Sequence, residues 1–124
     1  MLTSRSKRVL LADDQPGGRE LLRAALESVG YEVIEAVDGE DALAKAYSGS
    51  PDLILLDIHM PVRDGLSVVR ELRGDPRFQF TPILAVTATA MKGDRQKGID
   101  AGFTDYLTKP VSLTALRQIV AGYL

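Results

Sequence analysis

The chain has 124 residues, of which 45% are hydrophobic and 26% charged, with a formal net charge of −2 and no cysteine. That length holds one domain with a sizeable core, so residues 1–124 read as a single unit with 1–6 as a flexible leader. The charge balance lacks the basic excess of a nucleic-acid binder, the missing cysteines remove disulfides and thiolate chemistry, and no apolar run approaches the ~20 residues of a membrane helix.

The polar, basic start Met1-Leu2-Thr3-Ser4-Arg5-Ser6-Lys7-Arg8 contains no apolar stretch able to act as a secretory signal, and a cytoplasmic protein fits. A first strand is expected over 9–12. Pro16 then suits a helix first turn, and Leu21, Leu22, Ala25, Leu26 and Val29 recur at helical spacing before Gly30. After a strand at 32–36, Asp38 is placed to cap a helix through Ala42, Leu43 and Ala46, closed by Gly49 and Pro51. The apolar run 53–56 stops at Asp57 and reads as a buried strand. Asp64-Gly65 is a turn before a third helix carrying Leu66, Val68, Val69 and Leu72 and ending near Gly74 and Pro76.

A fourth strand is expected at 83–86. The helix expected after it, about 91–101, is weakened by Gly93 and Gly98, each costing roughly 1 kcal/mol relative to alanine. The segment 105–107 is assigned as a fifth strand from its position. Ser112 caps a last helix with Leu113, Leu116, Ile119, Val120 and Leu124 on its apolar side. Five strands alternating with five helices imply an α/β fold, a parallel sheet covered on both faces.

In such a sheet functional groups collect at the carboxyl ends of the strands. The first strand is followed by Asp13-Asp14, the third by Asp57, the fourth by Thr87 and the fifth by Lys109-Pro110. Three carboxylates brought together raise one another's pKa. A hard divalent cation such as Mg²⁺ resolves that conflict and suits phosphoryl chemistry. One aspartate can then serve as nucleophile, with Thr87 and Lys109 contacting the transferring group.

The stretches Val9-Leu10-Leu11-Ala12-Asp13-Asp14, Leu55-Leu56-Asp57-Ile58-His59-Met60-Pro61 with Asp64-Gly65, Val86-Thr87-Ala88 and Asp105-Tyr106-Leu107-Thr108-Lys109-Pro110 resemble the response-regulator receiver family of two-component signalling. The resemblance runs from about Lys7 to the end. It implies a flavodoxin-like, doubly wound five-stranded parallel sheet of order 2-1-3-4-5 with five helices. It also implies a phosphoacceptor at Asp57 and Mg²⁺, with Mn²⁺ as a substitute, held by Asp14, Asp57 and the main-chain carbonyl of His59, with Asp13 acting through a water. Lys109 would pair with the phosphoryl group, Thr87 would donate to it, and Thr87 with Tyr106 would form the switch pair. The Lys109-Pro110 peptide is expected to be cis. His59 and Thr89 stand at positions that tune the phosphorylated lifetime in that family.

The implied partners are a histidine kinase or a histidine phosphotransfer protein as donor and a protein target. Neither direct nucleic-acid contact nor a membrane is implied, and a monomer that dimerises on phosphorylation is compatible. The expected output surface is the face of the fourth helix, fifth strand and fifth helix, with Lys92, Arg95, Tyr106 and Arg117 as its candidates. No separate turnover substrate is expected: aspartate-nucleophile phosphatases carry a second acid two residues after the nucleophile, and here that residue is His59. A flavin carrier would need a Ser/Thr- and Gly-rich loop where Asp13-Asp14 stands. Three further readings stay open. Asp13-Asp14 could cap the helix at Pro16, the domain could be an unphosphorylated pseudo-receiver interaction module, and it could be a receiver excised from a hybrid histidine kinase.

Overall fold

The computed structural model describes residues 6–88 and 94–124. The expected leader up to residue 5, the first residues of the helix expected from 91, and Thr89 and Lys92 lie outside that description. In chain order the elements are β1 (Arg8–Ala12), α1 (Pro16–Glu27), β2 (Glu32–Ala36), α2 (Gly39–Gly49), β3 (Leu53–Asp57) and α3 (Gly65–Arg73). A 3₁₀ turn (Pro76–Phe78), β4 (Ile83–Thr87), α4 (Asp94–Ala101), β5 (Asp105–Thr108) and α5 (Leu113–Tyr123) follow.

The strands form one parallel sheet in the order β2-β1-β3-β4-β5. Period-two alternation divides its side chains between two cores. Leu10, Ala12, Ile54, Leu56, Ile83 and Ala85 face α2, α3 and α4, where they meet Leu43, Val68, Val69, Leu72 and Ala101. Val9, Leu11, Leu53, Leu55, Leu84 and Val86 point the other way, onto Leu22, Ala25 and Leu26 of α1 and Leu116 and Val120 of α5. β3 lies in the middle and is buried along its whole length, so its sequence shows an unbroken apolar run rather than alternation.

Local chemistry sets the helix ends. Asp38, Asp64 and Ser112 each accept a hydrogen bond from the backbone N–H three residues on, at Asp41, Ser67 and Ala115. α1 departs from the capping reading: Pro16 opens it, Gln15 is its N-cap, and no side chain caps it. Asp13 instead accepts from the Gln15 N–H at 2.9 Å, outside the helix. The apolar face of α1 is narrower than its sequence suggests, because Leu21 lies off the buried stripe at 55% exposure and Val29 falls beyond the helix end. The left-handed residue closing α2 is Ser50, one past Gly49.

Candidate functional site

The strand order reverses at β1 and β3, which leaves a crevice beyond their carboxyl ends. Asp57 is the last residue of β3 and only 5% exposed, Asp13 directly follows β1 at 2%, and Thr87 ends β4 at 1%. Asp14, next along the chain, is exposed. Oxygen atoms of Asp13, Asp14 and Asp57 all lie within 4.8 Å of one another. Lys109, just beyond β5, reaches back across the sheet: its Nζ donates to Asp57 Oδ2 at 2.9 Å and to Asp13 Oδ2 at 3.1 Å.

The backbone aims these groups. The Lys109 N–H donates to the Thr87 carbonyl at 2.7 Å, and the Lys109–Pro110 peptide is cis. The His59 N–H donates to Asp57 Oδ1 at 3.0 Å, while the His59 side chain is exposed. The Arg19 guanidinium donates to the Asp13 carbonyl at 2.8 Å, a contact that nothing in the sequence marks. A cleft of about 460 Å³ opens beside the cluster between α1 and the segment after β5, with Asp13, Gln15, Leu22, Ala88, Lys109 and Val111 in its lining.

Burial holds the Asp57 carboxyl above the ordinary carboxylate range. The Lys109 and His59 hydrogen bonds oppose that shift without overcoming it, and the neighbouring Asp13 adds to it. Burial also disfavours charge on Lys109, but the hydrogen bonds to Asp57 and Asp13 outweigh it and raise its pKa above the ordinary value. Three carboxylates against one ammonium leave the pocket two negative charges in excess. That excess equals the charge of one divalent cation, and the donors are the hard oxygens Mg²⁺ prefers. The residues therefore fit the ion.

Asp13, Asp14, Asp57 and Lys109 are thus brought into one cluster, with the backbone of Thr87 tied to Lys109 and that of His59 to Asp57. The half-buried Tyr106 ring packs edge-on to Phe103, centroids 6.0 Å apart, and lies over Gly98 of α4. Arg95 pairs with Asp105 at 3.7 Å and is exposed on the α4–β5 face. Arg117, on α5, donates from Nε to the Ala25 carbonyl of α1 at 3.4 Å. Lys92 lies outside the described residues.

Fold and site together define a doubly wound α/β domain with a buried aspartate in an acidic pocket at the switch point. The family model for the response regulator receiver domain matches residues 9–121. Response regulator PleD of Caulobacter vibrioides is 44% identical over 106 residues, 86% of this chain and 23% of PleD, so the chain spans under a quarter of that relative's length. Polar-differentiation response regulator DivK of Brucella ovis is 37% identical over 119 residues, 96% of this chain and 97% of DivK. The receiver domain of sensor histidine kinase PA1611 from Pseudomonas aeruginosa, solved with a magnesium ion coordinated in its active-site cleft, superposes with a TM-score of 0.88 at 37% identity, covering 96% of this chain and 98% of that one. The chain belongs to the response regulator receiver domain family of two-component systems.

Proposed function

We propose that this chain is a phosphoacceptor switch that takes a phosphoryl group on Asp57 from a phosphohistidine of a histidine kinase or a histidine phosphotransfer protein. An Asp57 carboxylate oxygen attacks phosphorus, the phosphorus–nitrogen bond breaks, and the leaving imidazole takes up a proton, leaving an acyl phosphate. Asp14, Asp57 and the His59 carbonyl would hold Mg²⁺ directly and Asp13 through a water, with Mn²⁺ accepted by the same oxygens. When bound, the cation supplies neutralisation of charge on the transferring oxygens. The magnesium ion in the PA1611 receiver supports this assignment.

The observation that carries the reading is the Lys109 ammonium set against both buried carboxylates at the strand ends. Lys109 would follow the charge onto the phosphoryl group, and the buried Thr87 would donate its hydroxyl to it. Tyr106 over Gly98 then joins that change to α4, so that the face carrying Arg95 and Tyr106 meets a protein target. The action is that of a signalling switch in the cytoplasm, without a separate turnover substrate. Among the described residues no helix is long and apolar enough to cross a membrane.

The test is incubation with acetyl phosphate, with and without Mg²⁺, read by intact mass, with Asp57→Asn as control. One added phosphoryl group that requires both Mg²⁺ and Asp57 is the expected result. No gain, under conditions that label another receiver, would leave an interaction module that works without phosphorylation.

A further inference from the structure

The loop between β3 and α3 carries His59, whose N–H holds Asp57, and it contains a conformation that needs holding. Val62 has φ 70° and is 72% exposed, while the Arg63 N–H donates to the Pro61 carbonyl at 2.8 Å. This is a γ-turn with positive φ, a rare and strained form, centred on a β-branched residue. Such a conformation costs on the order of 1–3 kcal/mol and persists only where its surroundings over-determine it. The exposed Val62 side chain supplies no packing to do so.

Arg63 supplies the restraint. Its Nε and Nη2 donate to Ser67 Oγ at 3.1 and 2.7 Å, and Nη1 reaches Glu71 at 2.8 Å and Glu40 at 3.5 Å. Ser67 and Glu71 belong to α3 and Glu40 to α2, so one guanidinium fastens the end of the turn to both helices. Behind it the backbone is tight: a Cβ on Gly39 would collide with the Arg63 carbonyl, and one on Gly65 would lie 2.7 Å from the Asp57 carbonyl. The Gly65 N–H also donates to the Ile58 carbonyl at 2.8 Å. The clamp therefore closes a short loop both of whose ends bear on Asp57.

We propose that Arg63 is a positioning residue for the cation and phosphoryl site, holding the strained 58–64 loop so that His59 is presented to Asp57 and to the bound cation. The inference rests on the Mg²⁺-dependent reading above. It places the control of cation affinity on a planar, multi-donor guanidinium, for which a lysine point charge cannot substitute at Ser67 and Glu71 together.

Arg63→Met keeps the aliphatic stem and removes every donor, and Arg63→Lys keeps the charge alone. In the metal-free protein, amide hydrogen exchange at His59, Arg63 and Gly65 is expected to speed up in Arg63→Met while the amides of α5 stay protected as in the wild type. In an Mg²⁺ titration followed by amide NMR, the midpoint is expected to rise by up to about tenfold, the low end for losing a ligand's own hydrogen-bond partner, because Arg63 acts on the loop and not on a ligand. Arg63→Lys should fall between the two. Wild-type exchange and an unchanged midpoint in Arg63→Met would overturn the positioning role even if the wild type labels at Asp57. A wild type that neither binds Mg²⁺ nor labels would overturn the underlying reading along with it.

Discussion

Removing the Lys109 ammonium tests the charge arrangement of the pocket most directly. Among the described residues, Lys109 is the one cation paired with Asp13 and Asp57, whose side chains are 3% and 6% exposed. Lys109→Met keeps most of the aliphatic stem and strands both carboxylates. Breaking a buried pair from one side costs about 3–5 kcal/mol; with Lys109 itself 25% exposed, the lower end applies, about 3 kcal/mol. At a urea dependence of about 1.5 kcal/mol per molar, the unfolding midpoint should fall by about 2 M at neutral pH without metal. Saturating Mg²⁺ should then narrow the gap to wild type, because the variant pocket has one more uncompensated negative charge to offer the cation. Lys109→Arg, which keeps the charge, should lose much less. A gap below about 0.5 kcal/mol without metal, the range of an ordinary surface substitution, or a gap that Mg²⁺ leaves unchanged, would refute the account of Lys109 as counter-charge.

Two further outcomes follow from contacts away from the pocket. A Cβ on Gly98 would run into the Tyr106 ring, so Gly98→Ala should destabilise wild type yet stabilise a Tyr106→Ala background by about 1 kcal/mol through helix propensity; equal effects in both backgrounds, measured by urea unfolding, would show that the ring does not depend on this glycine. Burial opposes ionisation of Glu35, but hydrogen bonds from Arg23 at 2.6 Å and Arg19 at 3.0 Å hold its carboxyl below the ordinary 4.5. Its stabilisation is therefore present above that value and lost as pH falls through the lowered one, so the stability gap between wild type and Glu35→Gln should close in acid; a gap constant from neutral pH down to pH 3 would contradict that sign.

The parts of the fold legible in the sequence are those whose signal is local. The apolar runs of β1, β3 and β4 and the caps Asp38 and Ser112 depend on residues within one element, and each was readable for that reason, whereas Asp64, read as a turn residue, also caps α3. The strand ends were legible too, since parallel topology alone carries residues distant in sequence to one rim. Leu21 shows the limit of the apolar pattern: hydrophobic residues are common on surfaces, and nothing in the spacing tells a residue one step off the stripe from one on it. The long cations were harder. Arg73 donates to the carbonyls of Phe78, Thr81 and Gly102 and to Thr104 Oγ1, and Arg117 to α1, because flexible side chains find partners up to 92 residues away that only the assembled fold brings near. Arg63 is the instructive case. Its helix-facing contacts at Ser67 and Glu71 follow helical spacing, but the need for them arises from the φ of Val62, which a β-branched residue gives no reason to expect.

Besides the left-handed Ser50 that closes α2, two places where local preference and fold disagree lie beside one strand end. Asp57 is a carboxylate only 5% exposed with its pKa pushed up, and Val62, five residues on, holds a positive φ. Away from this rim the strands fill the two cores with aliphatic side chains in regular alternation. A sequence shaped for stability alone would favour a neutral side chain at 57 and glycine at 62, each removing an unfavourable contribution without disturbing either core. Under the proposed function their presence side by side is what a site for charge requires: a pocket short of positive charge that a cation and an anionic group would fill, and a strained loop that would meet them in place. On this argument Lys109 and Arg63 act in series. The first offsets the repulsion between the Asp13 and Asp57 carboxylates, and the second would keep the loop beside them in the geometry that the proposed cation and phosphoryl group need.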